Sequence, residues 1–292
     1  MNLADKTLVL KASGGCLRYA EYGKASGEPI VFCHGWPSSS TMAELTDAAA
    51  RDLGVWIISP DRPGISGSTF QPNRKLVDWP PLMGELADHL CLSQFRMLAI
   101  SGGAPYAYAT AWKMPHRARA IAIVSGAVPI ADLSDHSGLL ALYRRMLALH
   151  RTHPRLLRAS FYLARPFATV GLSYRWGRVL LKLLQPCDAE ALRDAAAFKA
   201  CFESQRRAWR GSVEGVLADA HIHAQPWGFR LEDVDVPVRL WHGKQDRAFS
   251  FRLAEEVGKR LPNCRARYIE NAGHYSLPIR YMHEILADLI SI

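Results

Sequence analysis

The sequence has few cysteines and no long hydrophobic run. Its six cysteines are scattered without a CxxC pair, and neither a disulfide framework nor a paired-cysteine metal site fits that spacing. No apolar stretch approaches the roughly 18 residues that span a bilayer. The N-terminal segment holds early acidic residues and only the short apolar run Leu8-Val9-Leu10, which falls short of a secretory signal. We therefore expect reduced thiols, no transmembrane segment and a cytoplasmic location.

Acidic residues are in the minority, since 27 Asp and Glu face 36 Lys and Arg and the net charge is +9. Residues 132–225 alone hold 14 Lys and Arg against 8 Asp and Glu. A solvated basic helical surface is one interpretation of this excess, and attraction to an anionic substrate or a membrane surface is the other. No nucleic-acid-binding motif accompanies the charge, so we expect no nucleic-acid partner.

Strand-like and helix-like segments alternate up to about residue 130 and again from residue 226. A hairpin is predicted for LVLKA and LRYAEYG, a buried strand for PIVFC, and further strands for VWIIS, RMLAI, AIAIV, VPVRLWHG and ARYIE. Helices are predicted over about 41–52, from near Asp78, up to about Lys113, over about 250–260 and from about Pro278. Near-continuous apolar strands that alternate with helices are typical of a parallel sheet covered on both faces.

Between residues 132 and 225 only helical periodicity is found. The helical segments are LLALYRRMLALH, RLLRASFYLA, YRWGRVLLKLL and AEALRDAAAFKACF. The sequence therefore predicts an α/β core over residues 1–130 and 226–292, with a helical insertion over residues 131–225.

A candidate nucleophile lies in Ala99-Ile100-Ser101-Gly102-Gly103, at a predicted strand-to-helix junction. A serine lifted onto such a turn is exposed, and the close passage of strand and helix requires small residues two positions before and after it. The usual pattern is G-x-S-x-G, and Ala99 replaces its first glycine with another small residue. The turn also places the N–H of Gly102 at a helix N-terminus, where it favours an oxyanion.

A serine needs a general base, because its hydroxyl is a weak nucleophile at neutral pH. His274 follows the predicted strand ARYIE in a turn that contains Gly273, and Asp246 follows the strand VPVRL. Asp246 is suited to orient the imidazole and to stabilise its protonated form. The order Ser101, Asp246, His274, with each residue just past the end of a strand, predicts a catalytic triad.

The second oxyanion donor is expected from the loop after the third strand, His34-Gly35-Trp36-Pro37. Gly35 permits a tight turn and the N–H of Trp36 is available, whereas Pro37 has no N–H to donate. We expect Trp36 and Gly102 to form the oxyanion hole, with His34 and Gly35 supporting the loop. A metal site at His221 and His223 is not expected, because further acids and histidines are lacking nearby.

Several segments together resemble the α/β-hydrolase superfamily. They are His34-Gly35-Trp36-Pro37, Asp61 to Ser68, Ser101 to Tyr106, Trp241-His242-Gly243 with Asp246, and Gly273 to Leu277. Pro226-Trp227-Gly228-Phe229 is similar to a branch of esterase-like members with a helical lid. Haloalkane dehalogenases and epoxide hydrolases share some of these features but carry an aspartate at the position of Ser101, which argues against both.

The resemblance implies a mostly parallel eight-stranded sheet with helices on both faces and an inserted helical lid. It also implies a Ser101–His274–Asp246 triad, an oxyanion hole from Trp36 and Gly102, and no metal or cofactor. The expected activity is hydrolysis of a small carboxylic ester, lactone or thioester with a hydrophobic or anionic character, through an acyl-enzyme on Ser101. The same triad acting on a carbon–carbon bond or an amide, perhydrolysis as in haloperoxidase-like relatives, and a non-catalytic receptor are the alternatives.

Overall fold

The computed structural model describes residues 6–170 and 181–292, and its centre is an eight-stranded sheet. The strands are β1 Lys6–Val9, β2 Cys16–Gly23, β3 Glu28–Cys33, β4 Val55–Pro60, β5 Phe95–Ile100, β6 Ala118–Val124, β7 Val238–Gly243 and β8 Cys264–Ile269. Their order across the sheet is β1-β2-β4-β3-β5-β6-β7-β8. Only β2 runs against its neighbours β1 and β4, and the remaining pairs are parallel. The predicted mostly parallel eight-stranded sheet is confirmed.

Helices cover both faces of the sheet. They are α1 Asp47–Asp52, α2 Trp79–His89, α3 Ala104–Lys113, α9 Phe251–Arg260, α10 Ser276–Arg280 and α11 Met282–Ile290. Alternate residues of each central strand point to opposite sides, so Met97 and Ala99 pack with α2 and α3 while Leu98 and Ile100 pack with α11. Burial of both strand faces explains why these strands appear as continuous apolar runs in the sequence.

Two predicted helices of the core differ in detail. The segment predicted as one helix over 41–52 begins as a 3₁₀ helix over Ser40–Thr46 and continues as α1. The final helix is divided at Tyr281 into α10 and α11. Neither difference changes the layer in which the segment lies.

Between residues 141 and 224, the elements that the structure describes are all helical. The helices are α4 Ala141–Thr152, α5 Pro154–Thr169, α6 Pro186–Ala191, α7 Ala195–Gly211 and α8 Val213–Ala224. The helix predicted over 189–202 is interrupted between α6 and α7, because the Asp194 carboxylate caps α7 by accepting a 2.7 Å hydrogen bond from the N–H of Ala197. Most of the predicted helix over 174–184 lies outside the described residues. Among the described helices, none is both long and apolar enough to cross a membrane.

Candidate active site

Ser101 lies on a sharp turn between β5 and α3. Its φ is 54°, in the left-handed region that a non-glycine residue rarely adopts. The turn packs closely against the end of β3, since a methyl group built on Gly103 would lie 2.0 Å from the carbonyl oxygen of Cys33. The absence of a side chain at Gly103 therefore permits this approach, as the sequence predicts. Ala99, two residues before Ser101, is fully buried.

Ser101, His274 and Asp246 lie in a hydrogen-bonded line at one edge of the sheet. The His274 Nε2 atom is 2.9 Å from the Ser101 Oγ atom, and His274 Nδ1 is 2.8 Å from Asp246 Oδ2. They follow the C-terminal ends of the parallel strands β5, β7 and β8, of which β7 and β8 are adjacent and β6 lies between β5 and β7. The structure thus brings together the three side chains that the sequence places more than 25 residues apart.

Asp246 is buried and receives hydrogen bonds from its own loop. Its Oδ1 atom accepts bonds from the N–H groups of Ala248 and Phe249 at 2.7 and 3.1 Å, which leaves Oδ2 for the imidazole of His274. Burial alone would raise the pKa of Asp246, but its contact with His274 outweighs this and lowers the pKa. Asp246 is therefore an ionised acceptor throughout the neutral range.

The contact between Asp246 and His274 shifts the pKa of His274 in the opposite direction. Burial alone would lower the pKa of His274, but the Asp246 carboxylate outweighs it and raises the pKa, with a further contribution from Asp188. A raised pKa makes the imidazole a stronger proton acceptor once it is neutral.

Asp188, from α6, fixes the turn that carries His274 and is absent from the sequence-based site. Its Oδ2 accepts a 3.1 Å bond from the His274 N–H, and its Oδ1 accepts bonds from the Tyr275 N–H, the Ser276 N–H and the Ser276 hydroxyl at 3.0, 2.8 and 2.8 Å. A methyl group on Gly273 would lie 2.6 Å from either carboxylate oxygen. Only Pro186, which begins the short helix α6, marks this region in the sequence, and nothing there indicates the contact.

The loop after β3 lies directly beside Ser101. A methyl group built on Gly35 would be 3.5 Å from the Ser101 Cβ atom, and one built on Gly102 would be 2.9 Å from the backbone nitrogen of Trp36. The backbones of Trp36 and Gly102, the two predicted oxyanion donors, are therefore adjacent. The Trp36 indole N–H donates a 2.9 Å bond to the carbonyl of Val216 in α8, which ties this loop to the helical segment.

Arg62 holds the backbone of the same loop. Its two terminal nitrogens donate to the carbonyl oxygens of His34 and Gly35 at 2.6 and 2.7 Å. The buried His34 ring also lies within the loop, with Nδ1 3.0 Å from the Gly35 carbonyl oxygen. Because the carbonyls of His34 and Gly35 point toward Arg62, the N–H of Trp36 lies on the side of Ser101. This role of Arg62, in the Asp61 to Ser68 stretch, is not visible in the sequence.

A buried ion pair fastens α8 to the core. Arg62 Nε donates to Asp219 Oδ2 at 2.7 Å, Arg74 pairs with Oδ1 of the same carboxylate, and the Tyr106 hydroxyl donates to Oδ1 at 2.9 Å. Burial alone would raise the pKa of Asp219, but Arg62 and Arg74 hold it well below its usual range. Of these three charged residues only Arg62 lies in a motif that the sequence indicates, and the sequence predicts no ion pair for any of them.

Ser101 lies between two cavities and near a third. The inner pocket, of about 70 Å³, is lined by Trp36, Ser101, Gly102, Ala127, Ile130, Tyr143, Met146, Leu147, His150, Leu157, Ala220, His223, Ala224 and Phe249. The side pocket, of about 30 Å³, shares Trp36 and Ser101 with it and extends toward His274 and Gln205. The outer cleft, of about 770 Å³, shares His150, Leu157 and Ala220 with the inner pocket and opens between 70–77, α5 and α8.

The two histidines considered as a metal pair lie in different surroundings. His221 is exposed and packs edge-on against His150, with ring centroids 5.0 Å apart, whereas His223 lines the inner pocket. In the part of the chain that the structure describes, no group of three or more metal-ligating side chains is found.

Comparison with known proteins identifies the group to which this fold belongs. Residues 30–289 match the alpha/beta hydrolase family. The chain belongs to this family. Among its relatives is an uncharacterized hydrolase of Saccharomyces cerevisiae, 27% identical over 285 residues that cover 94% of this chain and 92% of the yeast protein.

Solved structures of other α/β hydrolases superpose along almost the whole chain. A bromoperoxidase from Bacillus anthracis has a TM-score of 0.73 at 17% identity and covers 99% of this chain and 100% of its own. A thermophilic esterase from Thermogutta terrifontis has a TM-score of 0.71 at 18% identity, with 99% and 98% coverage. These likenesses show a shared fold.

Proposed function

We propose that this α/β hydrolase is a serine esterase that cleaves small carboxylic esters through an acyl-enzyme on Ser101. The observation that carries the proposal is the Ser101–His274–Asp246 line, with 2.9 and 2.8 Å between successive atoms. A hydroxyl is activated when a base within hydrogen-bond reach is itself oriented by a third group, and this line meets that condition.

In the proposed mechanism, Ser101 Oγ attacks the ester carbonyl carbon while His274 Nε2 takes the hydroxyl proton. The tetrahedral intermediate collapses when His274 returns that proton to the departing alcohol. Water then attacks the acyl-enzyme with His274 again as base, and the acid is released. Asp246 stays ionised and stabilises the imidazolium formed in each half.

The backbone N–H groups of Trp36 and Gly102 are the proposed oxyanion donors. Support comes from the adjacency of the two backbones and from the fixed geometry of the loop that carries Trp36, which is held by Arg62. Donors that are already in place stabilise the developing charge without reorganisation, and loss of one such donor costs about 10² to 10³ in kcat.

Residues 131–225 are proposed to act as a lid that shapes the substrate. Tyr143, Met146 and Leu147 of α4 and Ala220 of α8 give the inner pocket an apolar wall above Ser101. A pocket of about 70 Å³ favours a short acyl chain. We assign the leaving alcohol to the side of Ser101 that faces away from the inner pocket.

Basic side chains of the outer cleft support a preference for anionic substrates. Lys75, Arg155 and Arg158 line it, and Glu214 is an acidic residue among them. Because Arg158 pairs with Glu214 at 2.8 Å, the remaining excess of positive charge comes from the other basic residues. A negatively charged substrate is therefore drawn toward the opening that adjoins the inner pocket.

The test of this function is turnover of p-nitrophenyl acetate and butyrate by the purified protein and its Ser101→Ala variant. We expect the variant to lose several orders of magnitude in kcat. Ser125→Ala is the matched control, because Ser125 is also buried, has a φ of 48° and ends the neighbouring strand β6. Unchanged turnover in Ser101→Ala would refute the assignment. Greater activity on an amide, a 1,3-diketone or hydrogen peroxide with a carboxylic acid would replace the ester as the substrate.

A further inference from the structure

His223 places a polar side chain in the inner pocket, whose lining is otherwise mostly apolar. It lies in α8, and its ring is 6.4 Å from that of Trp36 and 6.3 Å from that of Tyr106. The Nε2 atom of His223 is 3.1 Å from the position that a methyl group on Gly102 would occupy. The imidazole therefore stands beside the turn that carries Ser101, next to the backbone of Trp36.

The Nε2 atom of His223 is buried and has no hydrogen-bond partner. Leaving a buried polar atom unpaired is unfavourable, so such atoms call for an explanation. Other unpaired atoms, such as His34 Nε2 and Ser125 Oγ, belong to side chains outside the inner pocket. Among the described residues that line this pocket, His223 is the one with an orphaned buried nitrogen.

His223 is an uncharged imidazole at neutral pH. Burial lowers the pKa of His223 to about 4 against the opposing effect of Asp219, and Arg62 and Arg74 lower it further. A neutral imidazole offers one N–H donor and one acceptor, so it pairs with an ether, keto or hydroxyl oxygen without the desolvation cost of a charge.

We propose that His223 is the specificity-determining residue of the inner pocket, and that it selects acyl groups that carry an oxygen atom two bonds from the scissile carbonyl carbon. This inference rests on the proposed esterase function. Its substrate class comprises esters of short alkoxy, hydroxy or oxo acids. The position follows from geometry, because the imidazole lies beside Gly102, the residue next to the nucleophile, so that only atoms close to the carbonyl reach it.

The experiment compares two esters of equal length, p-nitrophenyl methoxyacetate and p-nitrophenyl butyrate, in which an ether oxygen replaces one methylene. The ratio of their kcat/KM values is measured for the wild type and for His223→Leu. Intrinsic reactivity cancels when the ratios are compared between proteins. We expect the preference for methoxyacetate to fall about tenfold in the variant, because the ether oxygen then loses its partner.

Two further variants make the result decisive. His223→Gln keeps a hydrogen-bonding group, so the preference is expected to remain within about threefold of wild type. His283→Leu is the matched control, because His283 is an exposed histidine that pairs with Asp52 and lines none of the three cavities, and its ratio is expected to be unchanged. Should His223→Leu fail to fold, His223→Phe, an apolar ring of similar shape, takes its place with the same expected loss.

The selection of an oxygenated acyl group would be overturned if the ratio of the two kcat/KM values were unchanged in His223→Leu or His223→Phe. Equal losses on both esters would give that result. This failure is distinct from failure of the proposed function, which would appear as no ester turnover by wild type or as full turnover by Ser101→Ala. Labelling of Ser101 by an alkyl fluorophosphonate in the wild type separates the two further, because its absence would count against the proposed function.

Discussion

Replacement of Asp188 by Asn tests how the base of the proposed mechanism is held in place. The carboxylate accepts four hydrogen bonds from the turn at His274, Tyr275 and Ser276, all between 2.8 and 3.1 Å. Asn keeps one acceptor oxygen, which can serve the three donors now paired with Oδ1. Its NH₂ group then faces the His274 N–H, so two donors oppose each other.

The expected cost follows from that single lost contact. A hydrogen bond to a charged acceptor contributes about 1.5–3 kcal/mol, and the N–H left unpaired adds to the loss. With a shift of about 2 °C per kcal/mol for a chain of this size, the melting temperature is expected to fall by about 4–8 °C. Displacement of the imidazole by a fraction of an ångström is expected to lower kcat by about 10- to 100-fold.

A pH profile separates positioning from general destabilisation. Asp188 is one of the groups that raise the pKa of His274. Removal of its charge lowers that pKa, so the acid limb of kcat/KM should move to lower pH in Asp188→Asn. Thermal melting and p-nitrophenyl ester kinetics from pH 5 to 9 measure both effects.

Asp194→Asn is the matched control, since Asp194 also belongs to the segment between β6 and β7 and accepts a bond from a backbone N–H. It is expected to lower stability slightly and to leave kcat and the acid limb unchanged. Gly273→Ala should reproduce the loss of kcat, because the added methyl group would crowd the Asp188 carboxylate. If Asp188→Asn lowers the melting temperature but leaves kcat and the acid limb as in wild type, the reasoning about His274 is wrong.

Three further predictions concern the base, the buried ion pair and the charge of the substrate. Asp246→Asn should lower kcat about 10⁴-fold with little change in KM, because the imidazole loses its orienting carboxylate; a loss under tenfold would contradict this. Asp219→Asn should cost about 3–5 kcal/mol at pH 7 by urea unfolding. Because Arg62 and Arg74 depress the pKa of Asp219, its contribution is present above pH ~4 and lost as the pH falls, so the difference between the two proteins should shrink in acid; a constant difference would oppose it. Anionic esters should lose kcat/KM more steeply with added salt than neutral esters of equal size, and equal slopes would remove the role given to the outer cleft.

The sheet and the three side chains of the proposed triad could be predicted because each depends on a local pattern. Continuous apolar runs indicate buried strands, and the small residues around Ser101 indicate a tight turn. Gly273 indicates the turn before His274. Parallel strands then bring their carboxyl ends to one edge, which makes the convergence of Ser101, Asp246 and His274 a consequence of topology.

Asp188, Asp219 and Arg62 could not be found in the same way. Each acts on a partner more than 80 positions away in the chain, and each resembles an ordinary surface charge when it is considered with its neighbours alone. The break between α6 and α7 was missed for a related reason, because the periodic apolar residues continue across it while the Asp194 cap starts a new helix. The contacts between the helical segment and the core are therefore visible only in the structure.

The reactivity of Ser101 is the claim on which this account depends. Intact-protein and peptide mass spectrometry after treatment with a fluorophosphonate at pH 7.5 measures it without knowledge of the natural substrate. We expect one adduct, located on the peptide that contains Ser101 and formed much more slowly in His274→Ala. An unmodified protein, or an adduct at another serine with Ser101 intact, would contradict it.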